Sequence, residues 1–484
     1  MSASGMQYLR PVVGFSILSL VVLGCSGGRG GGGGGGDPKL AADLTVAEVA
    51  VFQGVKISVA KDDLLVATRN APVVAGREAL VRVYVTPGAA YVPRPLSAEL
   101  HIDDQVYTDM RTITTASTDA SLASTFQFTV PVGKIASTST FAVAILDPAG
   151  TETAKGTPST ARFPGDGTQA SLSAVRTGQV NVMLVPFAYG GDGSNRLPDT
   201  TDAQIERYRA AMYETYPTTA INITVHDPVA FNQVFDSGGN GFDNLNQIVA
   251  QVRSNDRAND DTYYYGIIAP ARSFGSYCGQ GCVTGLSYVV ERAKDADLRV
   301  GSGIGFTGGD SAQTFIHEVG HQHGRYHAPC QVTDADPNYP YSRGVTGDWG
   351  YSVLSSKLFP PTDTDFMSYC DTNWISDYTY NALALRLNAV NTLAGTLGGA
   401  SVGLQNYQLV TVGADGSLTP GLIVAMHPLT STNRRPVHLV EGGGRSRSVE
   451  ATLVPHGHGG GSTLFVPVAG PTPTMEMLGR TITF

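Results

Sequence analysis

Residues 317–327 of this 484-residue chain read HEVGHQHGRYH, and they decide how the rest of the sequence is interpreted. On a helix, His317 and His321 lie one turn apart on the same face, so their imidazoles can converge on one ion. Gly324 can adopt a backbone conformation that residues with a Cβ avoid, which lets the chain turn sharply and bring His327 back as a third ligand. The pattern predicts a zinc site with three histidine ligands and a fourth position open to water.

Glu318 makes a catalytic site the favoured interpretation. Zinc lowers the pKa of a bound water, and a carboxylate in the same helical turn can take that proton. The full pattern should arise by chance in a chain of this length only on the order of a few times in 10⁵. Two alternatives stay open, a surface helix that happens to carry histidines and a pseudo-enzyme with an intact motif. His323 follows His321 by two residues on another helix face, and we predict that it is not a ligand.

The stretch satisfies H-E-x-x-H-x-x-G-x-x-H at every fixed position, and here the chain resembles the metzincin clan of zinc endopeptidases. The second signature of that clan is a tight Met-turn beneath the metal, and residues 365–370, DFMSYC, are similar to it. The resemblance implies that Met367 supports the histidines without binding the metal. It also implies that Tyr369 ligates the resting metal or donates a hydrogen bond to the oxyanion that forms during hydrolysis.

Residues 175–397 are predicted to form this metzincin-like catalytic domain, a twisted mixed sheet with helices. The hydrophobic pattern predicts strands and helices in alternation. The strands are expected at 180–187, 220–225, 262–269 and 283–290, and the helices at 202–216, 242–253, 311–323 and about 374–394. The resemblance implies that the edge strand before the zinc helix pairs with an extended substrate, and residues 284–288 are expected to be that strand.

All-β modules are predicted on both sides, so the expected fold class is α+β and multidomain. Residues 41–170 alternate apolar and polar side chains and are typical of an Ig-like β-sandwich. They contain no Cys and no dibasic site, which favours a permanent accessory domain over a propeptide. Residues 398–484 are predicted to be a small C-terminal β module. Within it, His456 and His458 precede a glycine run. Two histidines in this pattern suggest a metal site, but a flexible surface loop is favoured because nothing in the sequence holds the rings in place.

The N-terminus is predicted to be a targeting segment. Residues 11–23 form an apolar run of signal-peptide length, and residues 22–25, VLGC, at its end resemble a bacterial lipobox. The resemblance implies that residues 1–25 are a signal peptide whose Cys25 is lipidated, although a plain signal peptide stays open. Residues 26–40 are glycine-rich and predict a flexible tether. We expect an exported protein, either a membrane-anchored lipoprotein facing the periplasm or cell surface, or a secreted protein.

Four further cysteines are Cys278, Cys282, Cys330 and Cys370. An even number in an exported chain indicates disulfides, and three pairings are open from the residues alone. The metzincin resemblance places Cys330 and Cys370 close to the metal, one after the third ligand and one after the Met-turn. It therefore implies the pairs Cys330–Cys370 and Cys278–Cys282. A four-cysteine zinc site is the rival interpretation, and the three histidines make it unnecessary.

One zinc ion is the expected cofactor. Residues 255–261 and 334–338 are acidic loops that offer oxygen ligands to calcium, but neither matches a calcium-loop spacing, so calcium is unsupported and solvated turns are favoured. A net charge of −9 without a basic stripe argues against nucleic-acid binding. The expected partner is an extended polypeptide, with a glycoprotein suggested by the flanking β modules. We expect a monomer that touches the membrane through its lipid alone.

The predicted function is a zinc-dependent endopeptidase acting on extracellular or surface proteins, with Glu318 as general base. The alternative is a surface-tethered binding or adhesion lipoprotein with an inactive protease-like domain. Glu318 argues against it, because a structural zinc site needs no base. A third interpretation, a zinc amidase or deacetylase acting on cell-wall material, is disfavoured because such sites usually mix carboxylates with histidines.

Overall fold

The computed structural model describes residues 39–149, 158–371, 373–396, 403–440, 446–469, 474–477 and 480–483. The predicted signal peptide at 1–25 and all but the last two residues of the predicted tether at 26–40 lie outside them. The described chain is a mixed α/β structure, rich in strands and with few helices, as expected of a multidomain β-rich protein. No helix in these residues combines the length and apolarity that crossing a membrane requires.

The first part of the described chain is built from antiparallel strands. They are β1 (Lys39–Leu40), β2 (Leu44–Lys61), β3 (Leu64–Leu65), β4 (Ala79–Pro87), β5 (Pro95–Ile102), β6 (Gln105–Thr112), β7 (Phe126–Val130), β8 (Thr140–Asp147), β9 (Arg162–Phe163) and β10 (Ala170–Ser171). One sheet has the order β1-β8-β5-β6, and β2, β4 and β7 belong to a second. β8 buries alternate residues, because successive side chains of a strand point to opposite faces. Val81 and Val143 from the two sheets share one core, as in a sandwich.

The next part carries the histidine motif. Its elements are β11 (Val180–Tyr189), α1 (Asp202–Thr215), β12 (Ile221–Val225), β13 (Val229–Phe231), α2 (Phe242–Asn255), β14 (Thr262–Ile268), α3 (Phe274–Tyr277), β15 (Gly285–Ser287), β16 (Val300–Ile304), α4 (Gly309–Gln322), β17 (Gly350–Ser352), β18 (Lys357–Phe359), β19 (Thr364–Asp365), β20 (Asn373–Trp374) and α5 (Asp377–Thr396). Strands β12-β11-β14-β16 run parallel, and β15 forms an antiparallel edge beside β16. Short 3-10 turns lie at Leu122–Ser124, Pro158–Ala161, Ala296–Leu298 and Ser342–Gly344.

The sequence pattern does not predict β16, and it predicts a longer strand at β15 than the structure has. β16 contains Gly301 and Gly303, and glycine is depleted in strands. Close packing explains both glycines, because a Cβ on Gly301 would collide with the Ser287 hydroxyl and one on Gly303 with the Tyr265 hydroxyl. The strand expected at 283–290 forms only its central part, because only those residues pair with β16.

The segment after α4 joins the N-terminal sheet. β17 pairs antiparallel with β2, with Gly350 opposite Val55, and β18 pairs with β17. The Trp374 indole N–H donates to the carbonyl oxygen of Gly54 at 2.7 Å. The predicted domain at 41–170 is therefore not closed on itself but shares a sheet with the following part. This packing favours a permanent accessory domain over a propeptide, and that assignment remains a proposal.

The last part is an antiparallel sheet. Its strands are β21 (Gln405–Val412), β22 (Leu418–Met426), β23 (Arg434–Val440), β24 (Ser446–Pro455), β25 (Ser462–Val468), β26 (Thr474–Met477) and β27 (Arg480–Thr483), in the order β22-β21-β25-β24-β23-β26-β27. Leu409 and Val424 from this sheet share a buried apolar cluster with Leu245 and Val249 of α2. The C-terminal sheet is thus docked on the part that carries the motif.

Candidate metal centre

Helix α4 carries the first two histidines of the motif into the interior. Its apolar side chains Phe315, Ile316 and Val319 are buried and hold the helix in place. His317 and His321 share one face, as their spacing predicts, and their Nε2 atoms lie 3.2 Å apart.

Gly324 turns the chain back toward that face. Its φ is +80°, in the left-handed region that favours glycine. A Cβ at this position would also lie 2.7 Å from the carbonyl oxygen of Val290. After the turn, the centroid of the His327 ring lies 4.8 Å from that of His321 and 5.3 Å from that of His317. The structure therefore brings the three predicted ligands together.

Backbone carbonyls hold the first two imidazoles by Nδ1. The Nδ1 of His317 lies 2.8 Å from the carbonyl oxygen of Phe366, and that of His321 lies 2.7 Å from the carbonyl oxygen of Arg325. A carbonyl oxygen only accepts, so Nδ1 donates in both rings and Nε2 is left with a lone pair. Burial lowers the pKa of both histidines well below its usual range, which keeps them neutral.

This arrangement fits a metal ion. Two lone pairs that face each other at 3.2 Å repel unless a cation lies between them. Around a tetrahedral ion with metal–nitrogen distances of about 2.0–2.1 Å, neighbouring ligand nitrogens lie roughly 3.3–3.4 Å apart. The buried Nε2 of His327 has no hydrogen-bond partner among the described residues. The His317–His321 distance is close to that expected of neighbouring ligands, and the buried histidine group could therefore hold a metal ion.

Asp334 orients the third predicted ligand, a role that the sequence pattern does not reveal. Its Oδ1 lies 3.0 Å from the Nδ1 of His327, and this hydrogen bond holds the pKa of Asp334 below its usual value. The sequence offers only the nearness of an acidic loop, residues 334–338, whose oxygen atoms suggest calcium rather than a hydrogen bond to His327. In the part of the chain that the structure describes, one group of three or more His, Cys, Asp or Glu is close enough to share an ion, and it is the histidine cluster.

Glu318 lies beside the cluster, between α4 and the edge strand. Its side chain is 1% exposed, and its Oε2 has no hydrogen-bond partner among the described residues. A Cβ on Gly285 of β15 would lie 2.5 Å from Oε1, so glycine lets the edge strand pass against this carboxylate. A buried carboxylate held next to a metal site is well placed to move a proton.

The predicted Met-turn lies directly beneath α4. A Cβ on Gly320 would lie 2.5 Å from the Met367 sulfur, so the glycine makes room for the turn. The turn is held by buried Asp365, which accepts from the backbone N–H groups of Met367 at 2.8 Å and Ser376 at 2.9 Å. Because the carbonyl oxygen of Phe366 accepts a hydrogen bond from His317, the turn also orients a predicted ligand.

The four cysteines form two disulfides, Cys278–Cys282 and Cys330–Cys370, with Cα atoms 4.9 and 5.8 Å apart. These are the pairs that the resemblance implies. The second disulfide joins the chain after the third histidine to the chain after the Met-turn. It therefore ties two walls of the site together.

Tyr369 lies at the open side of the cluster. Its ring centroid is 4.8 Å from that of His327 and 5.9 Å from that of His317. Its hydroxyl hydrogen-bonds to Nδ1 of His458. The structure places Tyr369 near the candidate metal position, and its catalytic role remains a prediction.

The prediction of a flexible surface loop at His456 and His458 is wrong. His456 is 6% exposed, and its Nε2 lies 2.8 Å from the Thr463 hydroxyl. His458 lies inside the cluster, and the ligand atoms of all four histidines are within 4.8 Å of one another. His323, by contrast, stacks on Tyr263 away from the cluster, and burial lowers its pKa to about 3.

Comparison with known proteins agrees with the chemistry of this site. A search of curated proteins found no match. Residues 170–396, slightly less than half of the chain, match the family model described as Peptidase M66. The matched range contains α4, the Met-turn and every predicted ligand. The part of the chain that carries three of the four clustered histidines is therefore similar to a peptidase family, and this similarity supports a peptidase.

Proposed function

We propose that this chain is a zinc-dependent endopeptidase of the metzincin type that hydrolyses peptide bonds in extracellular or surface proteins. The observation that supports it most directly is the convergence of three imidazoles beside the buried carboxylate of Glu318. The similarity of residues 170–396 to a peptidase family supports the class of reaction. Export and lipid anchoring at Cys25 rest on the sequence, since that residue lies outside the described part of the chain.

The residues of the site divide the chemistry among them. His317, His321 and His327 would hold the zinc ion, which when bound polarises the peptide carbonyl and lowers the pKa of water. Glu318 takes a proton from the attacking water and passes it to the leaving nitrogen. Burial raises the pKa of Tyr369, so its hydroxyl stays protonated and can donate a hydrogen bond to the substrate carbonyl oxygen.

The proposed substrate is an extended polypeptide lying along β15. An exposed sheet edge binds such a chain through backbone hydrogen bonds, and pockets beside it select side chains. β15 is antiparallel to its neighbour β16 and lies next to Glu318, so a peptide on this edge would pass the metal position.

The test measures metal content by mass spectrometry and cleavage of proteome-derived peptides. Glu318→Ala is compared with its parent in the wild-type and His458→Ala backgrounds, because the Nε2 of His458 lies 2.7 Å from Oε1 of Glu318. We expect one zinc per chain throughout, and cleavage reduced roughly 10²–10⁴-fold without the base. A Glu318→Ala variant that cleaves peptides as fast as an active parent would refute the mechanism. Bound zinc without cleavage in both backgrounds would favour the binding-protein alternative.

A further inference from the structure

The hairpin at residues 455–462, between β24 and β25, lies along the edge proposed for substrate. The Gly457 N–H donates to the carbonyl oxygen of Ser287 at 2.8 Å. In the other direction, the Val289 N–H donates to the carbonyl oxygen of Pro455 at 2.9 Å. The hairpin is thus paired antiparallel with the end of β15, as an extended peptide substrate would be.

Side chains on both strands hold this pairing in place. Tyr288 and His456 form an antiparallel bridge, and their rings stack with centroids 5.9 Å apart. Tyr288 also packs edge-on against Phe465 of β25 at 5.6 Å. Both bridge residues are buried, so the hairpin is fixed against the edge and is not a loop free in solvent.

The sheet behind the hairpin is docked as well. In addition to the apolar cluster with α2, the Leu422 N–H donates to the side-chain oxygen of Gln247 at 2.8 Å. The Ser254 hydroxyl donates to the carbonyl oxygen of Ala425 at 2.6 Å. These contacts join α2 to β22 and keep the base of the hairpin close to the site.

His458 enters the site from this hairpin. Its Nε2 lies 2.7 Å from Oε1 of Glu318, and because a carboxylate only accepts, Nε2 donates. Its ring stacks on Tyr369 with centroids 5.3 Å apart and planes 9° apart. A Cβ on Gly457 would collide with the His321 ring, so glycine lets the chain pass directly over a predicted ligand.

We propose that the hairpin 455–462 is an internal inhibitor whose backbone occupies the substrate edge of β15 while His458 supplies a fourth metal ligand. The proposal rests on the proposed function. Three protein ligands leave a position on zinc for water, whereas four close the site. Coordination by His458 needs a lone pair on Nε2 and the proton on Nδ1, which is the other tautomer of the same neutral ring. The described chain is therefore latent until the hairpin moves away.

The test uses the full chain loaded with cobalt, whose visible spectrum reports the ligands, and acetohydroxamate, which needs an open metal position. Wild type, His458→Ala and the control His438→Ala, an exposed histidine of β23, are compared. If the hairpin closes the site 99% of the time, the apparent affinity for the probe is reduced about 100-fold. We expect His458→Ala to change the spectrum, bind acetohydroxamate about 100-fold more tightly and cleave peptides correspondingly faster, with His438→Ala like wild type.

The outcomes separate this inference from the proposed function. If cobalt binds to neither protein, the metal site itself is refuted. If wild type and His458→Ala bind cobalt with the same spectrum and probe affinity, the inhibitor is refuted and the peptidase stands. A slower His458→Ala variant would also overturn latency. If that variant fails to fold, the wild type alone decides. Tight binding of acetohydroxamate by wild type would exclude a closed site. Weak binding together with a cobalt spectrum of four nitrogen ligands would support a closed site.

Discussion

Replacing Asp334 tests whether a carboxylate behind the third ligand controls metal affinity. Its Oδ1 lies 3.0 Å from the Nδ1 of His327, whose side chain is 1% exposed, whereas that of Asp334 is 40% exposed. The hydrogen bond fixes the proton on Nδ1 and directs the lone pair of Nε2 into the cluster. Without it, the ring is free to adopt the tautomer that cannot bind an ion.

The exposure of Asp334 sets the size of the effect. Loss of such a partner typically weakens metal binding about 10–100-fold. Water can reach the position of the partly exposed carboxylate and accept from Nδ1 in its place. We therefore expect Asp334→Ala to weaken zinc binding by about 10-fold, at the low end of that range. Asp334→Asn keeps an acceptor oxygen and should weaken it less.

The zinc dissociation constant is measured by competition with a chromogenic chelator at fixed pH. Asp336→Ala is the matched control, because the Asp336 carboxylate accepts from the Tyr378 hydroxyl and the Asn338 N–H and not from a histidine. An Asp334→Ala variant that binds zinc as tightly as wild type would refute the reasoning. Equal weakening by Asp336→Ala would show that the effect is a general disturbance of the loop.

Three further predictions concern other parts of the chain. His327→Ala should weaken zinc binding while circular dichroism shows the helices intact, and one tightly held zinc in this variant would remove His327 from the ligand set. Replacing Cys330 and Cys370, 40 residues apart, with serine should lower the free energy of unfolding by up to about 4 kcal/mol in denaturant titration; unchanged stability would contradict a structural disulfide. Cys25→Ser should release the protein from membranes in fractionation, and an unlipidated wild type would end the lipoprotein proposal.

The parts of the site that depend on local geometry follow from the sequence. His317 and His321 are four residues apart, and any helix places such residues on one face. Gly324 is predicted to leave the helix in a conformation that other residues avoid, and its φ of +80° agrees. Periodicity likewise predicts α1, α2 and α4 to within about two residues at each end, the usual disagreement over helix boundaries.

The elements that packing creates are not visible in the sequence. β16 has glycines where a strand pattern requires side chains, because its neighbours press against its backbone. β17 and β18 complete a sheet that begins some 300 residues earlier in the chain, so no local pattern marks them as part of it. A glycine in β16 can be interpreted as making room for a neighbouring side chain only after the structure has shown which side chain packs there.

The sequence by itself determined the three-histidine motif, the adjacent carboxylate of Glu318 and the likeness to a metallopeptidase, because these depend on spacing within one helix and one turn. Only the tertiary structure decided that Asp334 orients His327 and that His458 enters the site. His458 is separated from Glu318 by 140 residues, and the two meet because the C-terminal sheet docks on α2. That docking depends on apolar area summed over many side chains, and no single residue of the hairpin reveals it.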